Sequence, residues 1–290
     1  MKEPEVLIII VNYNTEDDTI ELIESIRRLE YKNYEILIVD NASKSIEKLK
    51  KIKNVKLMKN KVNSGITGAV NLAIRENKNY DYYLLLNSDA VVDRFLLKEL
   101  VNVAIKDERI GFVGSAIFNY YSKDLDSLGG KLDFITGIAK PIKDYYAPAE
   151  LKKNEYLDAC ALLISNKIIK EVGMYDENFF MYCETEDLIF KAYERGFKAY
   201  INPNAKVYHK VYGSSGGKKN KFVVYYLYRN RIILLKKHLK LFRFLLFLLI
   251  HFIVIIQVQA ILFIFRRQFN LIKSVYKGSR DGVKEAFRKY

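Results

Sequence analysis

Three acids crowd one short stretch at Glu184, Glu186 and Asp187, directly behind the aromatic run Phe179-Phe180-Met181-Tyr182. On a helix, Glu184 and Asp187 are three apart and share a face. Two close carboxylates push one pKa upward and make a base near neutrality, and either Asp187 or Glu184 can take that role. A solvated acidic helix start, favoured by the macrodipole, is the plain alternative; the aromatic wall beside these acids argues against it. A second carboxylate, Asp89, follows the apolar run Tyr82–Leu86 in Asn87-Ser88-Asp89. A carboxylate at a strand end can hold Mg2+ or Mn2+ against a diphosphate, with water completing the shell. Asp93 is the better cap for the helix that follows, which leaves Asp89 for other work. A third, Asp40, ends Glu35–Val39 and can accept the N3–H of a uracil or thymine ring; the alternative is an Asx turn with Asn41 and Ser43. His209, alone after a short strand, reads by itself as structural.

The elements that must position these groups follow from hydrophobic period. Val6–Val11 (VLIIIV) is a continuous apolar run, the mark of a strand buried on both faces. Thr15 opens a helix, with Asp18 as a short-armed capping-box partner. Strands are expected at Glu35–Val39, Val55–Met58, Tyr82–Leu86 and Gly111–Phe118. Helices are expected at 45–51, Gly65–Glu76 and Phe95–Ile105. This order argues an α/β fold with a mainly parallel, doubly wound, Rossmann-like sheet. Ligands of such sheets bind outside the carboxyl ends of the strands. There the chain places Asn12, Asn14, Asp40, Asn41, Asn63, Gly65 and Asn87, a polar set fit to bind a nucleotide. After residue 118 the rhythm changes to a turn-rich segment, 119–149, that reads as a flap. Further elements are a strand at Asp158–Ile164, a short helix stopping at Gly173, the acidic helix ending at Gly196, a strand at Lys206–His209 and a Gly/Ser/Lys loop at 213–221.

Charge divides the chain. The total is 48 Lys+Arg against 34 Asp+Glu, a net +14; residues 206–290 carry +17 of it and residues 1–205 carry −3. A nucleic-acid partner would call for basic charge around the cleft, so none is expected. The basic quarter begins with a helix at 222–243 and continues into Phe244–Phe265, 22 residues without a formal charge, then a basic tail at 266–290. A helix of that length reaches about 33 Å, enough for a hydrocarbon core of about 30 Å. Both flanks are cationic, and cations prefer the cytoplasmic side. The segment therefore either spans or lies in the inner leaflet on anionic lipid. The start, MKEPEV, leads straight into a strand, so no leader is expected. Cys160 and Cys183 lack metal-site spacing and are expected as reduced thiols.

The turn after the first strand, NYNTEDD, holds no glycine, which excludes the dinucleotide loop; GSSGGK at 213–218 is one residue short of a P-loop. A diphosphate would then need a carboxylate-held metal. The segments IIIVNYNT (8–15), ILIVDNAS (36–43), NSGITGAVNLAI (63–74), YYLLLNSDAVVD (82–93), DENFFMYCETEDL (176–188), NPNAKVYH (202–209) and YYLYRNR (225–231), in this order, resemble the inverting family 2 glycosyltransferases of the GT-A fold, in their rhamnosyltransferase-like branch. The resemblance covers about residues 5–235. It implies that Asp40 binds the base of the donor, and that Asn87-Ser88-Asp89 stands for the D-x-D metal motif with its second carboxylate kept. It further implies that His209 completes the metal or diphosphate site, and that Glu184-Thr185-Glu186-Asp187-Leu188 supplies the base. Thr185 departs from the family's acid, leaving Asp187 and Glu184 both open.

The implied reaction is a metal-dependent, single-displacement transfer from a dTDP- or UDP-sugar, rhamnose among the candidates, to a glycan or lipid-linked acceptor. The implied place is the cytoplasmic face of the cell membrane. The organisation expected is a transferase domain at 1–221, the basic helix, the apolar helix and the tail. A tethered, non-catalytic sugar-nucleotide binder is the alternative, since Asn87 and Thr185 replace acids. A nucleotidyltransferase is disfavoured by the missing Gly-rich loop.

Overall fold

A computed structural model describes residues 3–210 and 220–288. The parallel strands are β1 (Val6–Asn12), β2 (Tyr34–Asp40), β3 (Lys56–Lys59), β4 (Tyr82–Asn87), β6 (Ile110–Asn119) and β13 (Lys198–His209). Between them lie α1 (Glu16–Ile26), α2 (Gly65–Glu76), the short β5 (Ala90–Val92) and α3 (Leu96–Ala104). After β6 come β7 (Leu125–Ser127), β8 (Gly130–Leu132), β9 (Ala139–Pro141), β10 (Ala149–Glu150), β11 (Glu155–Tyr156) and β12 (Ala161–Ser165). Then follow α4 (Asn166–Glu171) and α5 (Glu184–Glu194), ahead of β13. The sheet order is β10-β13-β6-β12-β4-β1-β2-β3, with β5 on β13 and β7 on β6.

Alternate residues of β1 enter opposite cores, because successive strand side chains point to opposite faces. Leu7 and Ile9 join α2 and α5 residues such as Val70 and Ile189 on one side. Ile8 and Ile10 join α1 and α3 residues such as Ile23 and Leu100 on the other. Both faces being covered explains why β1 reads as one apolar run.

β12 departs from the parallel expectation. It inserts between β4 and β6, antiparallel to both. Its entry therefore lies at the same sheet edge as the exits of the parallel strands. The strand begins at Ala161, which leaves Asp158 on the loop at that edge rather than inside the strand. β13 is longer than expected, running from Lys198 with an irregular step between Asn202 and Lys206. The 45–51 helix is reduced to a 3-10 turn at Leu49–Lys51. Thr15 does not cap α1 with its side chain; its hydroxyl bonds Asn12 and Ser88 across the sheet edge instead. Asp18, its expected partner, pairs with Lys210. The 119–149 flap contributes β8 and β9, which form a three-stranded sheet with β11. Most of the 213–221 loop lies outside the described residues.

The basic C-terminal quarter folds as a compact hairpin of helices. α6 (Lys221–His238) ends earlier than expected, at an extended Leu239-Lys240. α7 (Leu241–Ile250) and α8 (Ile256–Phe265) run on through a wider π-type turn at His251–Ile255. α9 (Phe269–Ala286) returns. It packs flush on α6 at Gly278 and Gly282, where a Cβ would stand 2.4 Å from the Tyr225 carbonyl oxygen and 2.6 Å from that of Arg229. Ile232, Ile233, Leu234 and Leu235 of α6, with Phe244 and Phe247 of α7, belong to the α2-side core. The helices are thus continuous with the α/β domain.

Candidate active site

The carboxyl edge of the sheet gathers the expected residues into two groups. The first is the exit of β1 and β2. Asn12 is fully buried and donates to Asp40 Oδ1 at 2.9 Å and to Ser43 Oγ at 3.0 Å, while its Oδ1 accepts from Thr15 and Thr19. Asp40, also buried, accepts a longer bond from the Ser43 amide at 3.3 Å. Asn41 donates to Asn63 Oδ1 and the Gly65 carbonyl, and accepts from Asn60 and Ser64. Asn63 also accepts the Gly65 amide at 3.0 Å. Gly65 has φ +72, and a Cβ there would lie 2.1 Å from the Phe180 carbonyl oxygen, so glycine is required. Asn14, left-handed at φ 56, closes the group by accepting from the Lys44 amide. Asp40 makes the contact of the Asx-turn alternative, with the Ser43 amide on Oδ2, while Asn12 bonds Oδ1.

The second group spans β4, β5, β12 and β13. β5 turns back onto β13 with Ala90 opposite His209, which carries Asp89 to the imidazole: His209 Nε2 is 3.1 Å from Asp89 Oδ1 and 3.4 Å from the Asn87 amide nitrogen. The backbone N–H of Asn87, separately, donates to the Cys160 carbonyl of the β12 loop. Carboxylate and imidazole suit a borderline divalent ion. Among the described residues no third His, Cys, Asp or Glu joins them. Mg2+ keeps waters and substrate phosphate oxygens in its shell, so two protein ligands fit that pattern.

Asp158 extends this group. It is half-buried, accepts from Ser127 Oγ at 2.6 Å and has its pKa raised by desolvation. On α5 the three acids have separate fates. Asp187 is wholly buried, with Lys191 at 2.6 Å, Lys237 at 3.0 Å and His238 at 2.9 Å. Burial alone would raise its pKa; the His238 hydrogen bond and the two lysines outweigh that and hold it at about 2. Such a weak base is ill-suited to taking a proton near neutrality. Glu184 is buried with Oε2 unpartnered, and burial raises its pKa to about 7. Glu186 keeps partial exposure and rises to about 8, through burial and then the charge of Glu184, with Asp158 also contributing. Thr185, in place of the family acid, is buried with its hydroxyl unpartnered.

Sequence alone gives Glu186 a place in the acidic trio, Asp158 a place at a strand start and Asn230 a place in the YYLYRNR segment, none with a site role. Asn230 is a fully buried amide on α6 that donates to the Met181 and Tyr182 carbonyls at 2.7 and 3.0 Å. Those bonds hold the turn before α5, where Tyr182 (φ 66) and Cys183 (φ 69) are both left-handed. Asn230 lies in YYLYRNR (225–231), one of the segments that carry the resemblance, and sits there as a polar residue between two arginines.

Residues 7–173 match the sequence model of glycosyl transferase family 2. A UDP-Glc:α-D-GlcNAc-diphosphoundecaprenol β-1,3-glucosyltransferase of Escherichia coli is 29% identical over 219 residues, 72% of this chain and 78% of that protein. A dolichyl N-acetyl-α-D-glucosaminyl phosphate 3-β-D-2,3-diacetamido-2,3-dideoxy-β-D-glucuronosyltransferase of Methanococcus voltae is 26% identical over 210 residues, 68% of this chain and 64% of that one. Among solved structures, S. aureus TarS superposes with a TM-score of 0.60 at 16% identity, over 97% of this chain and 83% of that chain. A mannosyltransferase of Pyrobaculum calidifontis, in complex with GDP-Man and Mn2+, gives 0.62 at 12% identity over 98% and 88%. The shared architecture is the GT-A fold, and the matched segment runs from β1 through the β12 edge, carrying both groups of site residues except α5 and His209. With its family matched over more than half its length, the chain belongs to glycosyl transferase family 2.

Proposed function

We propose that the chain transfers a sugar, with inversion, from a nucleotide-diphosphate donor to a lipid-linked glycan acceptor at a membrane surface. The observation that carries the reading is one sheet edge with two kinds of acid. Asp89 stands beside His209, while on α5 Glu184 and Glu186 have proton affinities raised to the neutral range, about 7 and about 8. Relatives that act on undecaprenol- and dolichol-linked substrates support the acceptor class. The donor's base would lie at Asp40, with Asn12 fixing that carboxylate and Asn41 fixing the 60–65 loop beside it. Asn14, Asn63 and Gly65 shape the same rim, and Asn87 orients His209. Asp89 and His209 would hold a divalent ion, Mg2+ or Mn2+, which supplies neutralising charge at the departing diphosphate. The mannosyltransferase of Pyrobaculum calidifontis, solved with GDP-Man and Mn2+, supports a divalent ion in the reaction.

Glu186 is the base in this reading. It is the raised carboxyl on α5 that keeps some exposure, and the charge of Asp158 on the β12 loop adds to its rise. Its ionised form takes the acceptor hydroxyl proton as that oxygen attacks the anomeric carbon from the face opposite the diphosphate. Glu184 raises the proton affinity of Glu186, and Asp187 anchors α5 to α6. The site would sit at the cytoplasmic face of the membrane, where nucleotide sugars are made.

The test combines purified full-length protein, a panel of UDP- and dTDP-sugars and a polyprenyl-diphosphate-sugar acceptor, read by mass spectrometry, with the new linkage read by NMR. Product of inverted anomeric configuration, lost in excess chelator and restored by Mn2+ or Mg2+, is expected. Retained configuration, or full activity in chelator, overturns the mechanism. Donor binding without transfer under any pairing moves the chain to a non-catalytic binder.

A further inference from the structure

We propose that the C-terminal helices form a flat docking face for one leaflet of an anionic phospholipid bilayer, with α7–α8 lying in the membrane plane rather than crossing it. The inference deepens the reading of a membrane-surface transferase and rests on it for the choice of lipid. Leu241–Phe265 is 25 residues long, and its most apolar 18-residue window has mean hydropathy 2.6, yet only 17% of that window is buried. What is buried forms one stripe. Phe244 meets Phe287, His251 bonds Ser279 Oγ at 3.0 Å and packs on Tyr228, and Ile256 and Phe263 join Val224, Leu271 and Val275.

These contacts fix the geometry. Residue 244 lies near 287, 251 near 279, and 263 near 271, so α7–α8 runs antiparallel to α9 along its length. Contacts with α6 descend in the same way, from Lys236 over the Phe244 ring to Tyr228 beside His251 and Val224 in the cluster of Phe263. A spanning α7–α8 would carry both companions into hydrocarbon, with Arg229 and Arg231 on α6 and Lys273, Lys277, Arg280 and Lys284 on α9. It would also pull Phe244 and Phe247 out of the domain core they share with Leu235. Charged side chains inside a bilayer are rare and need partners there.

The outward stripe is apolar along the whole helix: Leu245, Leu249, Ile253, Val258, Ile261 and Phe265 are each about half exposed or more. Exposed cations border it: Lys240 and Arg243 at one end, Arg266 and Arg267 at the other, and Lys273 and Lys277 on the neighbouring helix. An apolar face rimmed by Lys and Arg is the pattern of an interfacial helix on anionic lipid. Lying flat also keeps both basic flanks on one side, which removes the charge conflict of a single span.

The test uses the full chain and preformed vesicles of phosphatidylcholine alone or with phosphatidylglycerol. Co-flotation with the mixed vesicles is expected to exceed that with the neutral ones by roughly tenfold and to fall in high salt. Leu249→Glu with Ile253→Glu, both at exposed positions, should cut vesicle binding by roughly tenfold or more while the melting temperature holds. Cysteine reporters at Lys240→Cys and Gln268→Cys, each read against the parent chain with its own Cys160 and Cys183, should both add a site that reacts with an impermeant maleimide added outside sealed vesicles. Protection at 268 with reaction at 240 means a span and overturns the proposal. So does failure to float, or a stable dimer in solution that the two glutamates dissociate, which makes a second copy the occupant. Flotation needs no sugar donor. A chain that floats flat but transfers nothing leaves this inference standing and removes the catalytic reading; an active chain that never floats does the reverse.

Discussion

The two halves of the sheet edge are built on opposite terms. Around β1 and β2, Asn12 and Asn41 together bond to Asp40, Ser43, Thr15, Thr19, Asn60, Asn63, Ser64 and Gly65. Around α5, Glu184 and Thr185 are buried with side-chain atoms unpartnered, and two carboxyls have raised pKa values. A buried polar group left unpaired costs free energy, so the first half is a satisfied framework and the second is where proton affinity is raised. Asp187 is the exception that sharpens the contrast: it sits in the reactive half but is satisfied like the framework, and that places it with the framework.

Substitutions can break this division. Glu186→Gln should lower turnover by about 10²–10⁴-fold while donor binding, followed by calorimetry, survives. In the parent, turnover should rise with pH through about 8 as Glu186 ionises. A fully active Glu186→Gln beside an inactive Glu184→Gln moves the base to Glu184. Asp187→Asn leaves two lysines and a histidine facing a neutral amide; breaking such a buried pair costs about 3–5 kcal/mol, read by denaturant unfolding. The stabilisation Asp187 provides is present above its unfolded pKa of 3.8 and is lost as pH falls through about 2, so the variant should lack the parent's acid-sensitive loss in that window.

Glu184 carries the opposite sign. Its folded pKa, about 7, exceeds the unfolded 4.5, so ionising it in the fold costs stability as pH rises across that interval, and the cost levels off above it. Glu184→Gln should therefore gain on the parent between pH 5 and pH 8 by about 2–3 kcal/mol at most, visible as a melting-temperature difference that widens with pH. The smallest effect belongs to Asn41→Ala, about 1–3 kcal/mol of stability with a weakened donor site, because its partners can recruit water at this partly open edge. A loss of turnover without any change in donor affinity would place Asn41 in the reactive half instead.

Most of the framework was legible in sequence because it obeys local rules. α2 starts at Gly65 and ends at Glu76 as the period predicts, and the β1, β2, β4 and β6 runs are found within a residue or two. The reactive half was less legible because it depends on contacts distant in sequence. Nothing local tells that β12 runs antiparallel, and that orientation brings Asp158 to the edge. Likewise the spacing of Glu184 and Asp187 puts them on one helix face, but Lys237 and His238, fifty residues on, decide that Asp187 stays ionised. Thr15 misled in the other direction: its cap-like position is local, while its hydroxyl answers to Ser88 in the turn after β4.

Tyr182 and Cys183 hold one further consequence. Two successive non-glycine residues in left-handed backbone cost about 1–2 kcal/mol each, and Asn230 on α6 keeps them there through two carbonyls. The fold is therefore less robust than this sequence could make it. Glycine at 183 would relieve the strain and raise thermal resistance, at the expense of the fixed entry angle of α5 and the placing of its acids. Selection for heat tolerance alone should reach that glycine readily, and selection for turnover should reverse it.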